Sequence, residues 1–203
     1  MTHHLYRGDL PEGIDFGSVV AVDTEAMGLT PYRDRLCLVQ VSGGDGDAHL
    51  VQFAPGGYAA PRLKRLLADP GVTKLFHFAR FDLAMIYHYL GVMALPVYCT
   101  KIASRLARTF TDRHGLRDLC KDLINVDLSK QQQSSDWGAD MLSEEQLRYA
   151  ASDVLHLHAL RSRLDAILAR EGREGLARAC FEFLPHRVRL DLGGWAEQDI
   201  FAH

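Results

Sequence analysis

Two carboxylates one residue apart, Asp23 and Glu25, follow directly on the apolar run Val19-Val20-Ala21-Val22. Such a run reads as a buried strand. Strand side chains alternate faces, so the two acids point the same way, roughly 7 Å apart along the backbone. Like charges at the end of a buried strand repel unless a proton or a cation lies between them. The pair therefore reads in two ways, as a strand end whose acids face water or as half of a cation site. A third acid, Asp82, falls just after the apolar run Val72 to Phe78, in the first turn of the next helix. There it can simply complement the helix dipole. Residues just past strand ends, however, gather at one edge of an open sheet, which would carry Asp82 toward the first pair. A fourth acid, Asp153, stands four residues after Tyr149 on a later helix, so the two share a face. Ala150, Ala151 and Ser152 between them are small enough to let that face approach another element. Four acids gathered at one sheet edge need cations to coexist, and carboxylates are the hard ligands that Mg2+ or Mn2+ prefer.

The elements that must position these groups follow from the pattern of apolar residues and breakers. Asp15 to Val22 reads as the first strand, Leu36 to Ser42 as the second, and Ala48 to Phe53 as the third, after the turn cluster Gly43-Gly44-Asp45-Gly46-Asp47. Short connections between them predict an antiparallel meander. Pro61 opens a helix through about Leu67. Val72 to Phe78 is a fourth strand, followed by a helix from about Arg80 that stops at Gly91, and Val97 to Thr100 is a short fifth strand. Basic helices follow over about Lys101 to Thr109 and Leu116 to Leu123, and Asn125 to Asp140 is polar and irregular. Ser143 with Gln146 three residues on is a capping box for a helix expected to run well past Leu160. The order predicts an α/β fold with a mixed sheet, antiparallel over the first three strands and parallel after, flanked by helices.

At 203 residues the chain is long enough for one full core, and residues 1–203 are expected to form a single domain. No stretch approaches the length of about 18 apolar residues that a membrane span needs. The N-terminal Met1 to Arg7 carries no apolar signal core, which reads as cytoplasmic. Cys37, Cys99, Cys120 and Cys180 are scattered without metal-ligand spacing and read as reduced thiols. A net charge of −3 argues against a protein that coats polyanions, so nucleic acid would be met through local patches and metal ions.

The stretches Val22-Asp23-Thr24-Glu25, His77-Phe78-Ala79-Arg80-Phe81-Asp82 and Tyr149-Ala150-Ala151-Ser152-Asp153 resemble the three motifs of the DEDDy 3′–5′ exonucleases, in the ribonuclease D branch. Arg33 to Cys37, Cys99 to Ser104, Thr111 to Leu116, Ser129 to Trp137 and the C-terminal Leu192 to Trp195 and Ile200 to His203 are similar to the NrnC nano-RNase subgroup. The resemblance implies a ribonuclease H-like (DnaQ-like exonuclease) fold and 3′–5′ hydrolysis of short RNA, down to dinucleotides. On that pattern Asp23, Glu25 and Asp153 would hold one metal, with Asp23 bridging to a second held by Asp82 through water. Tyr149 would orient the attacking water. It also implies a ring-shaped homo-octamer. The helical nucleic-acid-binding domains of full ribonuclease D have no counterpart in this stretch, which lowers the expectation for long structured RNA.

Substrate contacts are less sharply specified. Leu29 matches the apolar wedge of related exonucleases, or fills a gap in a turn; His77 either approaches substrate or is a core histidine. Between Lys101 and Lys121 six basic residues (Lys101, Arg105, Arg108, Arg113, Arg117, Lys121) stand against two acids, either a solvated face or a phosphate contact led by Lys101 and Arg105. Lys130, Gln133, Ser134, Ser135 and Trp137 form a second candidate patch, in which Trp137 stacks on a base or anchors the loop in the core. His156 and His158, two apart on a helix, cannot share a face to bind zinc. Residues 180–203 read as an apolar extension beyond the last helices, packing on the domain or on a neighbour. A DNA exonuclease shares this carboxylate set, and an inactive nucleic-acid-binding protein on the same fold is the reading from another class.

Overall fold

The computed structural model describes residues 2–129, 132 and 134–202. Lys130 and Gln133 lie outside the described residues. The strands are β1 (Thr2–Arg7), β2 (Val19–Ala26), β3 (Leu36–Ser42), β4 (Asp47–Gln52), β5 (Thr73–Phe76) and β6 (Val97–Cys99), hydrogen-bonded in the order β1-β4-β3-β2-β5-β6. β2, β3 and β4 form the expected antiparallel meander, and β5 and β6 add in parallel. The carboxyl ends of β2, β5 and β6 therefore open on one sheet edge.

Every residue of β3 is buried, which explains its almost unbroken apolar sequence. The helices are α1 (Pro61–Ala68), α2 (Ala79–Leu90), α3 (Thr100–Ala107), α4 (Leu116–Ile124), α5 (Glu144–Leu155), α6 (Leu157–Arg170) and α7 (Glu174–Leu190). α2 closes on Gly91, whose φ of 70° is the left-handed conformation glycine adopts without a Cβ penalty. α5 starts on the capping box: Ser143 Oγ accepts from the Gln146 N–H at 3.2 Å, and Gln146 Oε1 accepts from the Ser143 N–H at 2.9 Å. α5 packs against β1 to β4, and α2 packs against β2, β3, β5, β6 and α7.

Four expectations need correction. β1 precedes the meander and pairs in parallel with β4. Its half-exposed sequence Thr-His-His-Leu-Tyr-Arg carries no apolar run, because an edge strand is buried on little of its surface. It is held instead by stacking of His4 and Tyr6 on His49, with ring centroids 5.1 and 5.9 Å away. β2 begins at Val19 rather than Asp15, whose carboxylate caps the Gly17 N–H in a turn, and it runs on through both acids to Ala26. The long helix beginning at Ser143 breaks at His156 into α5 and α6. The first half of the presumed C-terminal extension is the second half of α7, with Phe181, Leu184 and Val188 buried. Only the segment from the wide turn Asp191–Trp195 onward lies past the helix. Among the described residues no helix is long and apolar enough to cross a membrane.

Candidate active site

β2 carries Asp23 and Glu25 out on one face and Thr24 on the other. α5 presents Asp153 on the first face. Among the described residues Asp23, Glu25 and Asp153 each offer an oxygen, all lying within 4.8 Å of one another. Asp82, in the first turn of α2 and 3% exposed, arrives from the other face, where its Oδ1 accepts the Thr24 hydroxyl at 2.7 Å. The acids thus converge around the end of one strand from both sides. A register shift between Glu25 and Ala26 marks that end.

The electrostatics are those that a bound cation would relieve. Desolvation first, then the like charges of Asp82, Asp153 and Glu25, hold Asp23 well above the usual carboxylate range. Glu25 is raised by desolvation and then by Asp153 and Asp82. Asp82 and Asp153 are raised too, chiefly by desolvation, against the Thr24 hydrogen bond to Asp82 and the Tyr149 hydroxyl near Asp153, which favour the charged forms. Tyr149 stands one helical turn before Asp153, and burial first, then the charges of Asp153, Glu25 and Asp23, raise its pKa, so it stays a neutral donor. Hard oxygens at this spacing, carrying more negative charge than a buried site tolerates alone, fit Mg2+ or Mn2+.

A family model for 3′–5′ exonucleases matches residues 10–169. The chain belongs to the 3′–5′ exonuclease family. Within it the chain is ribonuclease D-like and falls with the NrnC subgroup. It is 40% identical to ribonuclease D of Gluconacetobacter diazotrophicus over 154 residues, 76% of this chain but 39% of that protein, so it spans about two fifths of such relatives. It superposes on Brucella melitensis NrnC bound to pGG with a TM-score of 0.97 at 56% identity, covering 100% of this chain and 99% of that one. Brucella melitensis NrnC with bound Mg2+ matches with a TM-score of 0.96 at 55% identity, over 100% of both chains. The mixed sheet is therefore that of the ribonuclease H-like exonucleases.

Around these acids the other expected residues separate. Leu29 is 83% exposed, presented by a turn in which Asp34 Oδ2 accepts the Thr30 N–H at 2.9 Å. His77 Nδ1 lies 3.0 Å from Thr100 Oγ1, and desolvation with Lys101 nearby lowers its pKa to about 3, the environment of a neutral core histidine. Lys101 and Arg105, one turn apart on α3, line a cavity of about 660 Å³ with Arg80, Arg187 and three phenylalanines, Phe78, Phe183 and Phe201. In the rest of the basic stretch Arg117 is exposed, while three others are paired with acids. Arg108 is buried against Asp122, Arg113 pairs Asp118 at 2.9 Å, and Lys121 pairs Asp127 at 2.6 Å. Asp122 and Asp127 lie just beyond the stretch in sequence and reduce its free charge.

Trp137 is 2% exposed and cannot stack on a base. Its ring lies against Tyr149, with centroids 6.1 Å apart, so it supports the tyrosine from inside the loop. That loop is held by Gln146 Nε2 to the Asp136 carbonyl (3.1 Å), Arg35 to the Gly138 carbonyl (2.8 Å) and Gln52 to the Ala139 carbonyl (2.9 Å). Ser134 is exposed, and Ser135 donates to Gln132 Oε1. His156 and His158 stay apart, His158 Nε2 lying 3.1 Å from the Val19 carbonyl oxygen.

Three residues at the site escaped sequence reasoning. Thr24 was passed over as the spacer between two acids, although alternation already sent it to the opposite face. Gln40, fully buried in β3, pairs opposite Asp23 with its Nε2 3.4 Å from Asp23 Oδ2. A glutamine inside an otherwise apolar run was the available signal. Arg80, two residues before Asp82, forms a clasp with Asp191 that no local pattern announces.

Proposed function

We propose that this chain is a metal-dependent 3′–5′ exoribonuclease that hydrolyses short RNA oligonucleotides, down to dinucleotides, to 5′-mononucleotides. The observation that carries this reading is the gathering of one oxygen each from Asp23, Glu25 and Asp153 within 4.8 Å, with Tyr149 one helical turn before Asp153 on α5. In it, Asp23, Glu25 and Asp153 would hold one divalent cation, and Asp23 with Asp82 would hold a second. Such cations activate a water and offset charge on the scissile phosphate and on the leaving 3′-oxygen. The protein's own part is positioning. Thr24 and Gln40 orient carboxylates, and neutral Tyr149 aligns the attacking water in line with the leaving oxygen. Leu29, exposed on its turn, would part the terminal bases in this scheme. The preference for short substrate draws on the similarity to NrnC bound to pGG.

Lys101 and Arg105 supply cations toward the substrate backbone in this scheme, with Ser134 beside the loop as a further polar contact. The exposed Phe183, Trp195, Ile200 and Phe201 fit burial against further copies of the chain, in a ring octamer. The free cysteines fit a reducing, cytoplasmic setting.

The deciding experiment is cleavage of labelled RNA and DNA of about two, five and twenty nucleotides with Mg2+ or Mn2+, for wild type and Asp23→Ala. The expected result is mononucleotide release, fastest from the shortest RNA and lost in Asp23→Ala. Rapid degradation of long DNA with dinucleotides spared would assign the chain to DNA instead, and wild-type turnover in Asp23→Ala would end the two-metal assignment.

A further inference from the structure

The C-terminal segment is fastened to the same helix turn that carries Asp82. Arg80 donates to both oxygens of Asp191, at 2.6 Å from Nε and 2.8 Å from Nη2. Arg187 donates to Asp191 Oδ1 from its Nε at 2.8 Å, and its Nη2 also reaches that oxygen. The two guanidinium groups also gather the chain beyond. Arg80 Nη2 reaches the Ala196 carbonyl at 2.9 Å, and Arg187 Nη2 reaches the Trp195 carbonyl at 2.6 Å. The Asp191 side chain is 12% exposed, so this pair is not an ordinary surface ion pair. Gly194, with φ at +101°, turns the chain back to make these carbonyls available.

What the clasp holds is the first turn of α2. α2 begins at Phe78 without any side-chain cap, so the first turn lacks the usual local restraint. Asp82 is in that turn and is the one candidate acid outside the three-oxygen cluster. A freely fraying first turn would let Asp82 drift from Thr24 and from the other carboxylates. Arg80, two residues upstream, is bolted to an element 111 residues away in sequence.

We propose that Asp191 is a positioning residue: through Arg80 it fixes the first turn of α2 and so sets the Asp82 carboxylate against the acids on β2 and α5. The inference rests on the metal-dependent reading of the site. It gives the C-terminal segment a role in the chemistry itself, separate from any surface it offers to another copy.

The test compares Asp191→Ala, Asp191→Asn, Arg80→Ala and the double variant Asp191→Ala/Arg80→Ala in the full chain. Four measurements are made: kcat and KM with a dinucleotide, Mg2+ affinity by calorimetry, amide exchange of residues 79–83, and particle mass. In Asp191→Ala the expected result is a kcat reduced about tenfold with KM near wild type, a similar weakening of Mg2+ binding, and faster exchange in the first turn of α2. The double variant should be no worse than Arg80→Ala. Asp191→Asn, which keeps a hydrogen-bond acceptor, should fall between wild type and Asp191→Ala. Wild-type exchange, Mg2+ affinity and kcat in folded Asp191→Ala would overturn the proposal, as would losses that follow particle mass alone. Should wild type cleave no nucleic acid while exchange and Mg2+ affinity still change as expected, the functional reading fails and the positioning role stands.

Discussion

Thr24 and Asp82, 58 residues apart in sequence, are joined by a buried 2.7 Å hydrogen bond between hydroxyl and carboxylate. The bond is the tie between the two faces of β2. Asp23 and Glu25 leave the strand toward α5, and the residue between them reaches α2 on the other side. A spacer in a two-acid motif thus becomes the donor that orients the third acid.

Replacing Thr24 by valine keeps the shape and removes that donor. Asp82 then loses a hydrogen bond that favours its charged form, so its pKa rises further. The expected outcome is a Mg2+ requirement shifted to higher pH and turnover reduced about tenfold at neutral pH. Mg2+ titrations at several pH values measure both. Thr24→Ser should restore most of the loss.

The metal-free protein should lose stability as pH rises toward neutrality. Asp82 and Asp153 have folded pKa values near 7 against a usual 3.8, so between those values the folded state binds more protons than the unfolded one. Stability then falls with increasing pH, being fully present below the unfolded value and lost through about pH 7. Thermal unfolding in chelator from about pH 5 to about pH 8 should show a falling Tm. Saturating Mg2+ should reverse the trend and release protons on binding. A Tm in chelator that rises over this range would contradict the charge cluster.

Tyr149 and Trp137 touch but should respond differently to substitution. Tyr149→Phe keeps the ring packed on Trp137 and should slow turnover by roughly 10²-fold with little change in Tm, since only the positioned hydroxyl is lost. Trp137→Ala empties a buried site and should cost about 3–5 kcal/mol of stability, read as a lower denaturation midpoint. Had Trp137 been a base-stacking residue, its removal would raise KM and leave stability alone.

Gly28 is predicted to govern the presentation of Leu29. A Cβ at Gly28 would collide with the Asp34 carboxylate, which holds the Thr30 N–H and the Arg33 guanidinium. Gly28→Ala should therefore displace the turn, raising KM for short substrate several-fold while Mg2+ affinity stays unchanged. Leu29→Ala should show the same KM effect without the structural disturbance. If Leu29→Ala left KM unaltered, the wedge assignment would fall.

Much of this molecule is legible from local pattern. The apolar runs give β2 to β6, Pro61 and Gly91 bound their helices, and the Ser143–Gln146 box starts α5 where expected, because each signal acts within a few residues of backbone. β1 was invisible because an edge strand needs no apolar run, and the break at His156 carries no proline or glycine. The free charge of the basic stretch is smaller than its own residues suggest, because Asp122 and Asp127 pair with Arg108 and Lys121 from just outside.

What the sequence alone determined is the inventory: which acids stand at strand ends, that Asp23 and Glu25 share a face, and that Tyr149 and Asp153 share another. Alternation and helical periodicity are properties of the local backbone, so no tertiary information is needed for them. The tertiary structure decided the distances and the supports. Register placed Gln40 opposite Asp23, burial turned Trp137 from a substrate contact into a prop for Tyr149, and the clasp of Asp191 on Arg80 joined the chain's end to the turn bearing Asp82. Those relationships depend on which residues, far apart in sequence, exclude water together, and only the folded chain settles that.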